Sequence, residues 1–296
     1  MEDYLIRAIT TNKELRALAL RSTNLVAEAQ KRHKTTPVAT AALGRVLNGA
    51  LLTASLVKSG EEIVLKIDGT GPAKKIIAEA NQKGEVRGYI ANPQLEFNTT
   101  EEGKLDVAKA VGAGELSLTK IMDMKEPYTG SVPLVSGEIG EDLTYYFTAS
   151  EQIPSAVGLG VMVDKDLSVK AAGGFLIQLL PEASEETIKL LEKNLAELKS
   201  ISSLIDQGFS PEEILDSLLG DLDYRVMARK EVQFKCKCSR ARSYELIAGL
   251  GKEDIKETLE KEEQIEIKCH FCGETYVFTK NEIEKLLSEI DKAEEH

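Results

Sequence analysis

All four cysteines of this 296-residue chain fall in its last 61 positions. Cys236 and Cys238 stand one residue apart in FKCKCSR, and Cys269 and Cys272 stand two residues apart in IKCHFCGE. Where thiols are kept reduced, two such pairs suggest one tetrahedral ion held by four thiolates, with Zn2+ the usual occupant. The pairs reach it by different geometry. In extended backbone, residues i and i+2 point to one side, so both sulfurs of C-x-C can face one ion; C-x-x-C wraps a turn, here followed by Gly273. The segment that carries them, about residues 231–296, is too short to build a large core without a staple.

Four thiolates around one dication leave net negative charge at the centre. Lys235, Lys237, Arg240, Arg242 and Lys268 lie close by in sequence to offset it, and are expected to lower the thiol pKa values. His270 sits inside the second pair, but four sulfurs already close the site. Two readings of the cluster stand side by side. One is a structural ribbon that only holds a small domain together. The other starts from C-x-C, which can also close on itself as a strained local disulfide. The same four sulfurs then exist either as a zinc cage or as two bridges, Cys236–Cys238 and Cys269–Cys272, and the second state loses the folding energy that the ion supplies.

Apolar residues make up 42% of the chain, ample for a sizeable core in more than one domain. The start, MEDYLIRAITTNKELRALALRS, has neither a continuous apolar stretch nor a small-residue cleavage site, which predicts a cytoplasmic protein. The most apolar run, ATAALGRVLNGALLTASLV (39–57), carries Arg45 and Asn48 and reads as a buried helix, so no membrane span is expected. Residues 1–180 hold 20 Lys+Arg against 22 Asp+Glu, and residues 181–296 hold 17 against 27, giving nets of −2 and −10. So acidic a C-terminal segment argues against nucleic acid as a partner, because that affinity comes from cations on phosphates.

The pattern predicts an α+β protein in three parts. Residues 1–181 form a mixed α/β domain with antiparallel strands. It has a helix ending near Arg32, a helix over 38–58, a strand and tight Gly turn over 61–72, and a short helix, turn and strand over 74–93. Further strands are expected in GELSLTKIM, YTGSVPLVSGEIG, LTYYFTASEQ, VGLGVMVD and AGGFLIQLLP. Residues 182–230 read as a helical connector without strands. Ile188, Leu191, Leu195, Leu198 and Ile201 or Ser202 form one apolar stripe, and a second helix starts at Ser210 with Pro211 in its first turn and Glu213 where a capping box expects it. Residues 231–296 form the small zinc-binding domain.

Taken together, ATAALGRVLNGALLTASL (39–56), DGTGP (68–72), GEVRGYIANP (84–93), YYFTASEQIPSAV (145–157), AGGFLIQLLP (172–181) and the CKCS and CHFC pairs resemble the redox-regulated 33 kDa heat-shock chaperone family along the whole chain. The resemblance implies a non-enzymatic holdase for unfolded, aggregation-prone proteins. It would be idle while reduced with one Zn2+ on Cys236, Cys238, Cys269 and Cys272. Oxidation to disulfides would release the ion and activate it as a homodimer under oxidative stress.

Rival readings have less behind them. A zinc enzyme keeps an open position and usually uses His or carboxylate ligands, yet the chain has three histidines, His33, His270 and His296, and no HExxH or GxSxG pattern. The DGTGP turn with Lys74 and Lys75 lacks the pattern of a phosphate loop. A structural zinc ribbon acting on nucleic acid is the remaining alternative, disfavoured by the charge.

Overall fold

In the computed structural model, which describes residues 1–96, 99–101, 103–122 and 126–294, the charge-broken N-terminus forms two unanticipated strands, β1 (Tyr4–Thr10) and β2 (Leu15–Arg21). They are followed by α1 (Thr23–His33) and α2 (Pro37–Ala54), the two helices the pattern indicates. Every residue of α2 is buried except Arg45. A helix apolar on all sides must be enclosed on all sides. Here α2 lies between two antiparallel sheets, and its small residues let them close in: Gly44 touches Val161 and Val26, and Gly49 touches Leu143 and Leu65. Its one fully buried amide, Asn48, is satisfied by Ser22 at 2.6 Å and by the Gly173 carbonyl at 3.2 Å.

Beyond α2 come β3 (Glu62–Gly69), β4 (Lys75–Asn81), β5 (Glu85–Ile90), α3 (Val107–Val111), β6 (Gly114–Ile121), β7 (Tyr128–Pro133), α4 (Gly140–Ala149), β8 (Ser155–Val163) and β9 (Val169–Leu179). Two expectations are reversed. The helix read from Lys74 onward is β4, in which Ile76, Ala78 and Ala80 are buried at a period of two while the strand pairs with both β3 and β5. The strand read in LTYYFTASEQ is α4. Its entry is fixed by the buried Asp142 carboxylate, which accepts the N–H groups of Val135, Ser136, Gly137 and Ile139, and its buried Leu143, Tyr146 and Phe147 share one helical face.

The connector also differs from its sequence pattern. The stripe read as one helix is two, α5 (Glu185–Glu197) and α6 (Ile201–Asp206), because Leu198 is extended and Ser200 caps the new start. Next comes α7 (Pro211–Leu219), with the expected reciprocal box between Ser210 and Glu213. The last part of the supposed strandless stretch is β10 (Tyr224–Glu231), paired antiparallel with β1, and β11 (Gln233–Phe234) then pairs parallel with β5. One sheet therefore runs β10-β1-β2-β9-β8 and the other β11-β5-β4-β3-β6-β7.

These elements make one of two compact units, Met1–Lys235. In it α5, α6 and α7 cover the face of the first sheet that points away from α2. Leu191, Ile201, Leu204, Ile205, Ile214, Leu215, Leu218 and Leu219 pack against a sheet face of Ile6, Ala8, Leu15, Ala17, Ala19, Ala171, Phe175 and Ile177. Polar fasteners rim this cover: Tyr4 donates to Glu212 at 2.6 Å, Lys170 pairs with Asp206 at 3.0 Å, and Glu14 accepts from Ser184 and Thr187 at the start of α5. Since Leu215 is fully buried there, Leu215→Ala is expected to weaken docking of the connector by about 2–5 kcal/mol. Hydrogen exchange of residues 185–219 measures this; unchanged protection would show that the connector does not depend on this contact.

The unit ends where β10 hands over to β11 at Gly84. That turn residue has φ +84°, and a Cβ there would stand 2.1 Å from the Glu231 carbonyl oxygen, so only glycine lets the two backbones meet. Gln233 N–H donates to the Gly84 carbonyl and Lys235 N–H to that of Val86, one residue before Cys236.

The other unit, Cys236–His296, contains α8 (Arg240–Ala248), α9 (Lys252–Lys261), a hairpin of β12 (Gln264–Lys268) and β13 (Thr275–Thr279), and α10 (Lys280–Glu294). Its core is small: Ile247, Ile255, Leu259, Phe278, Ile283, Leu286 and Leu287. Among the described residues, no helix of the chain is long and apolar enough to cross a membrane.

Candidate metal centre

The four cysteines converge. Their sulfurs all lie within 4.8 Å of one another and are free of disulfides, with Cys236 Sγ 3.7 Å from Cys269 Sγ and Cys238 Sγ 3.3 Å from Cys272 Sγ. A tetrahedral ion with metal–sulfur bonds of about 2.3 Å separates its sulfurs by about 3.8 Å. The cluster therefore fits one ion of the kind that four thiolates favour.

Two arms bring the sulfurs together. Cys236 and Cys238 lie on irregular backbone between β11 and Ser239, whose hydroxyl accepts the Arg242 N–H and starts α8. Cys269 and Cys272 flank the turn that joins β12 to β13. Cys269 N–H donates to the Glu274 carbonyl and Gly273 N–H to that of Cys269, both at 2.8 Å, and Gly273 takes the positive φ that closes the turn. The backbone N–H groups of Phe271 and Cys272 are directed at the Cys269 sulfur, and that of Glu274 at the Cys272 sulfur. His270 is exposed and stands outside the cluster.

The expected effect of neighbouring cations is not met at the second pair. Burial pushes the Cys269 and Cys272 thiols above the ordinary cysteine value. Several of the basic side chains are engaged elsewhere. Arg240 donates to the Val277 carbonyl and to Glu282, both at 2.7 Å, and lies over the Phe278 ring. Arg242 reaches the Lys237 carbonyl, Lys235 pairs with Glu85, and Lys268 is exposed. Deprotonating buried thiols here is work for a bound dication rather than for surface lysines.

Sequence reasoning missed one side chain. Tyr276, on β13, donates its hydroxyl to Cys238 Sγ at 3.3 Å. The available signal was periodicity: Tyr276 and Phe278 alternate inward on a strand that begins three residues after Cys272, and an inward tyrosine hydroxyl needs a partner.

Comparison with known proteins places this arrangement. Residues 3–279 match the family model described as Hsp33 protein. The 33 kDa chaperonin of Geobacillus kaustophilus is 48% identical over 287 residues, covering 97% of this chain and 98% of that one. That of Bacillus velezensis is 48% identical over 288 residues, 97% and 99% of the two chains. The crystal structure of the 33 kDa chaperonin from Thermotoga maritima superposes with a TM-score of 0.92 at 38% identity, over 98% of this chain and 100% of that one.

Proposed function

Because the chain belongs to the Hsp33 family and is thus a chaperone by kinship, we propose that it is a cytoplasmic, redox-regulated holdase, idle when reduced with one Zn2+ on Cys236, Cys238, Cys269 and Cys272. The observation that carries this reading is the convergence of four sulfurs, none in a disulfide, from two arms of one small unit. When bound, the ion holds the thiolates deprotonated and joins the arms, contributing an apparent ~10 kcal/mol or more of folding free energy. A core as small as the one around Ile247, Phe278 and Ile283 cannot replace that.

Oxidation undoes it. One thiolate attacks a peroxide oxygen, becoming a sulfenic acid as hydroxide departs, and a second thiolate displaces hydroxide from that sulfur to form the S–S bond. Repeated with a second peroxide, this converts four thiolates into two bridges and leaves no thiolate to retain the ion. The Cys236–His296 unit then unfolds. Its covalent neighbour β11 holds to β5 by only two residue pairs, and behind it β10 begins at Tyr224, whose hydroxyl donates to Asp216 of α7 at 2.7 Å. Slackening along this route loosens the connector and uncovers the sheet face beneath it. Contiguous apolar surface holds unfolding clients without sequence preference, and the net charge of −12 helps keep the open, dimeric form soluble.

The bridges are expected within each pair, Cys269–Cys272 before Cys236–Cys238. Proximity alone does not select them, since sulfurs of opposite arms also stand 3.7 and 3.3 Å apart. Ring size does: a C-x-C bridge closes a ring one residue smaller and strains its backbone more, which makes it the harder to form and the easier to reduce. Timed alkylation with peptide mass analysis and a metal assay tests the scheme. The expected result is one zinc released per four thiols lost, with the 269–272 bridge first. Bridges between the arms, or two zinc ions per chain, would sink it.

A further inference from the structure

A thiolate that accepts a hydrogen bond shares its charge with the donor, which lowers its nucleophilicity and its electron donation to the metal. In this cluster the second arm receives its donors from backbone: Phe271 and Cys272 N–H at the Cys269 sulfur, Glu274 N–H at the Cys272 sulfur. Such donors are fixed by the turn and hold as long as the turn does. The donor to Cys238 differs in kind. It is a side-chain hydroxyl, carried on β13 of the hairpin, reaching a sulfur of the opposite arm at 3.3 Å. The ring behind it is anchored: Tyr276 pairs with Ile267 across the hairpin and packs on the small core.

We propose that Tyr276 is a positioning residue for the cage, its hydroxyl binding the Cys238 sulfur so that this thiolate is restrained toward oxidants and the first arm is latched to the hairpin independently of the ion. This inference rests on the zinc-cage reading. It gives the latch a defined loss. Once the hairpin unfolds, Tyr276 swings away and Cys238 becomes more reactive at the moment its arm is free to close on Cys236. Opening of the second arm therefore promotes oxidation of the first, beyond what ring strain alone dictates.

The test is Tyr276→Phe in the full chain, which keeps the ring and removes the hydroxyl, read with Co2+ in place of Zn2+. The variant's thiolate-to-cobalt charge-transfer band is expected at longer wavelength than in the wild type, because the sulfur donor level rises. Zinc affinity by chelator competition should fall by about 10- to 100-fold. Alkylation of Cys238 in the zinc-loaded protein should accelerate several-fold, with Cys269 unchanged. Tyr244→Phe is the control: that hydroxyl donates to the Glu282 carbonyl in the same unit, and its removal should leave the band in place. Should Tyr276→Phe not fold, 3-fluorotyrosine in the wild-type sequence, a stronger donor, should move the band the opposite way. A wild-type band matched by Tyr276→Phe, or equal acceleration at all four cysteines, overturns this inference alone. A wild-type protein with no thiolate–cobalt band overturns the cage and the inference with it.

Discussion

Peroxide-treated protein is expected to abolish the light scattering of an aggregating model enzyme at near-equimolar ratio, whereas the same protein reduced and zinc-loaded leaves the scattering unchanged. The size of the effect follows from comparing two energies. A domain of this size is stable by about 5–15 kcal/mol at most, and metal coordination supplies an apparent ~10 kcal/mol or more. Removing the second leaves little or nothing of the first. What then becomes available is the packed layer between α5–α7 and the first sheet, built of leucine, isoleucine and phenylalanine side chains that are buried in the closed state. Suppression by the reduced form equal to that of the oxidised form would show that the switch does not govern the activity. Absence of suppression in both would remove the holdase reading.

Cys272→Ser carries the second large effect. Cys272 is the most buried of the four, 2% exposed, and its sulfur receives the Glu274 N–H. Serine places a hydroxyl where the cage needs a thiolate, so three ligands remain and the ion is held in an open site. Zinc affinity should drop by orders of magnitude. Limited proteolysis should then cut first within residues 236–296 of the reduced variant, and next in the connector, residues 185–219, while the two sheets stay resistant. Tight zinc and full protease resistance in the variant would remove Cys272 from the ligand set.

The sequence made some elements legible because their causes are local. Ser210, Pro211 and Glu213 announce α7 through a box that closes within four residues, and the apolar run of α2 admits only burial. Other elements are decided from afar. Lys75–Asn81 is rich in helix formers and becomes a strand because β3 and β5 flank it on both sides. Tyr145, Tyr146 and Phe147 favour strands, yet Asp142 gathers the preceding loop and starts a helix. Residues 224–231, charged and unremarkable in pattern, form β10 only because β1, at the other end of the chain, offers an edge. At the site, the cysteine types and spacing were enough to bring four sulfurs to one place. Of the donors around them, a backbone N–H has no sequence signature, and the periodicity that turns Tyr276 inward does not tell which sulfur it meets across the two arms.

The two ends of the connector are moored unequally. It leaves from β9, which is bonded to β2 on one side and β8 on the other, and it returns through β10, which has β1 alone. Fraying therefore starts at the β10 end, while the β9 end stays tied into the sheet. A loosened connector is a leash, never a free fragment, and its local concentration over the sheet face stays near millimolar for a short flexible tether. On the holdase reading proposed above, clients compete with it for that face throughout. Once reduction and zinc rebuild the small unit, re-docking is intramolecular and independent of protein concentration, so release of clients is expected to follow first-order kinetics set by the chain itself.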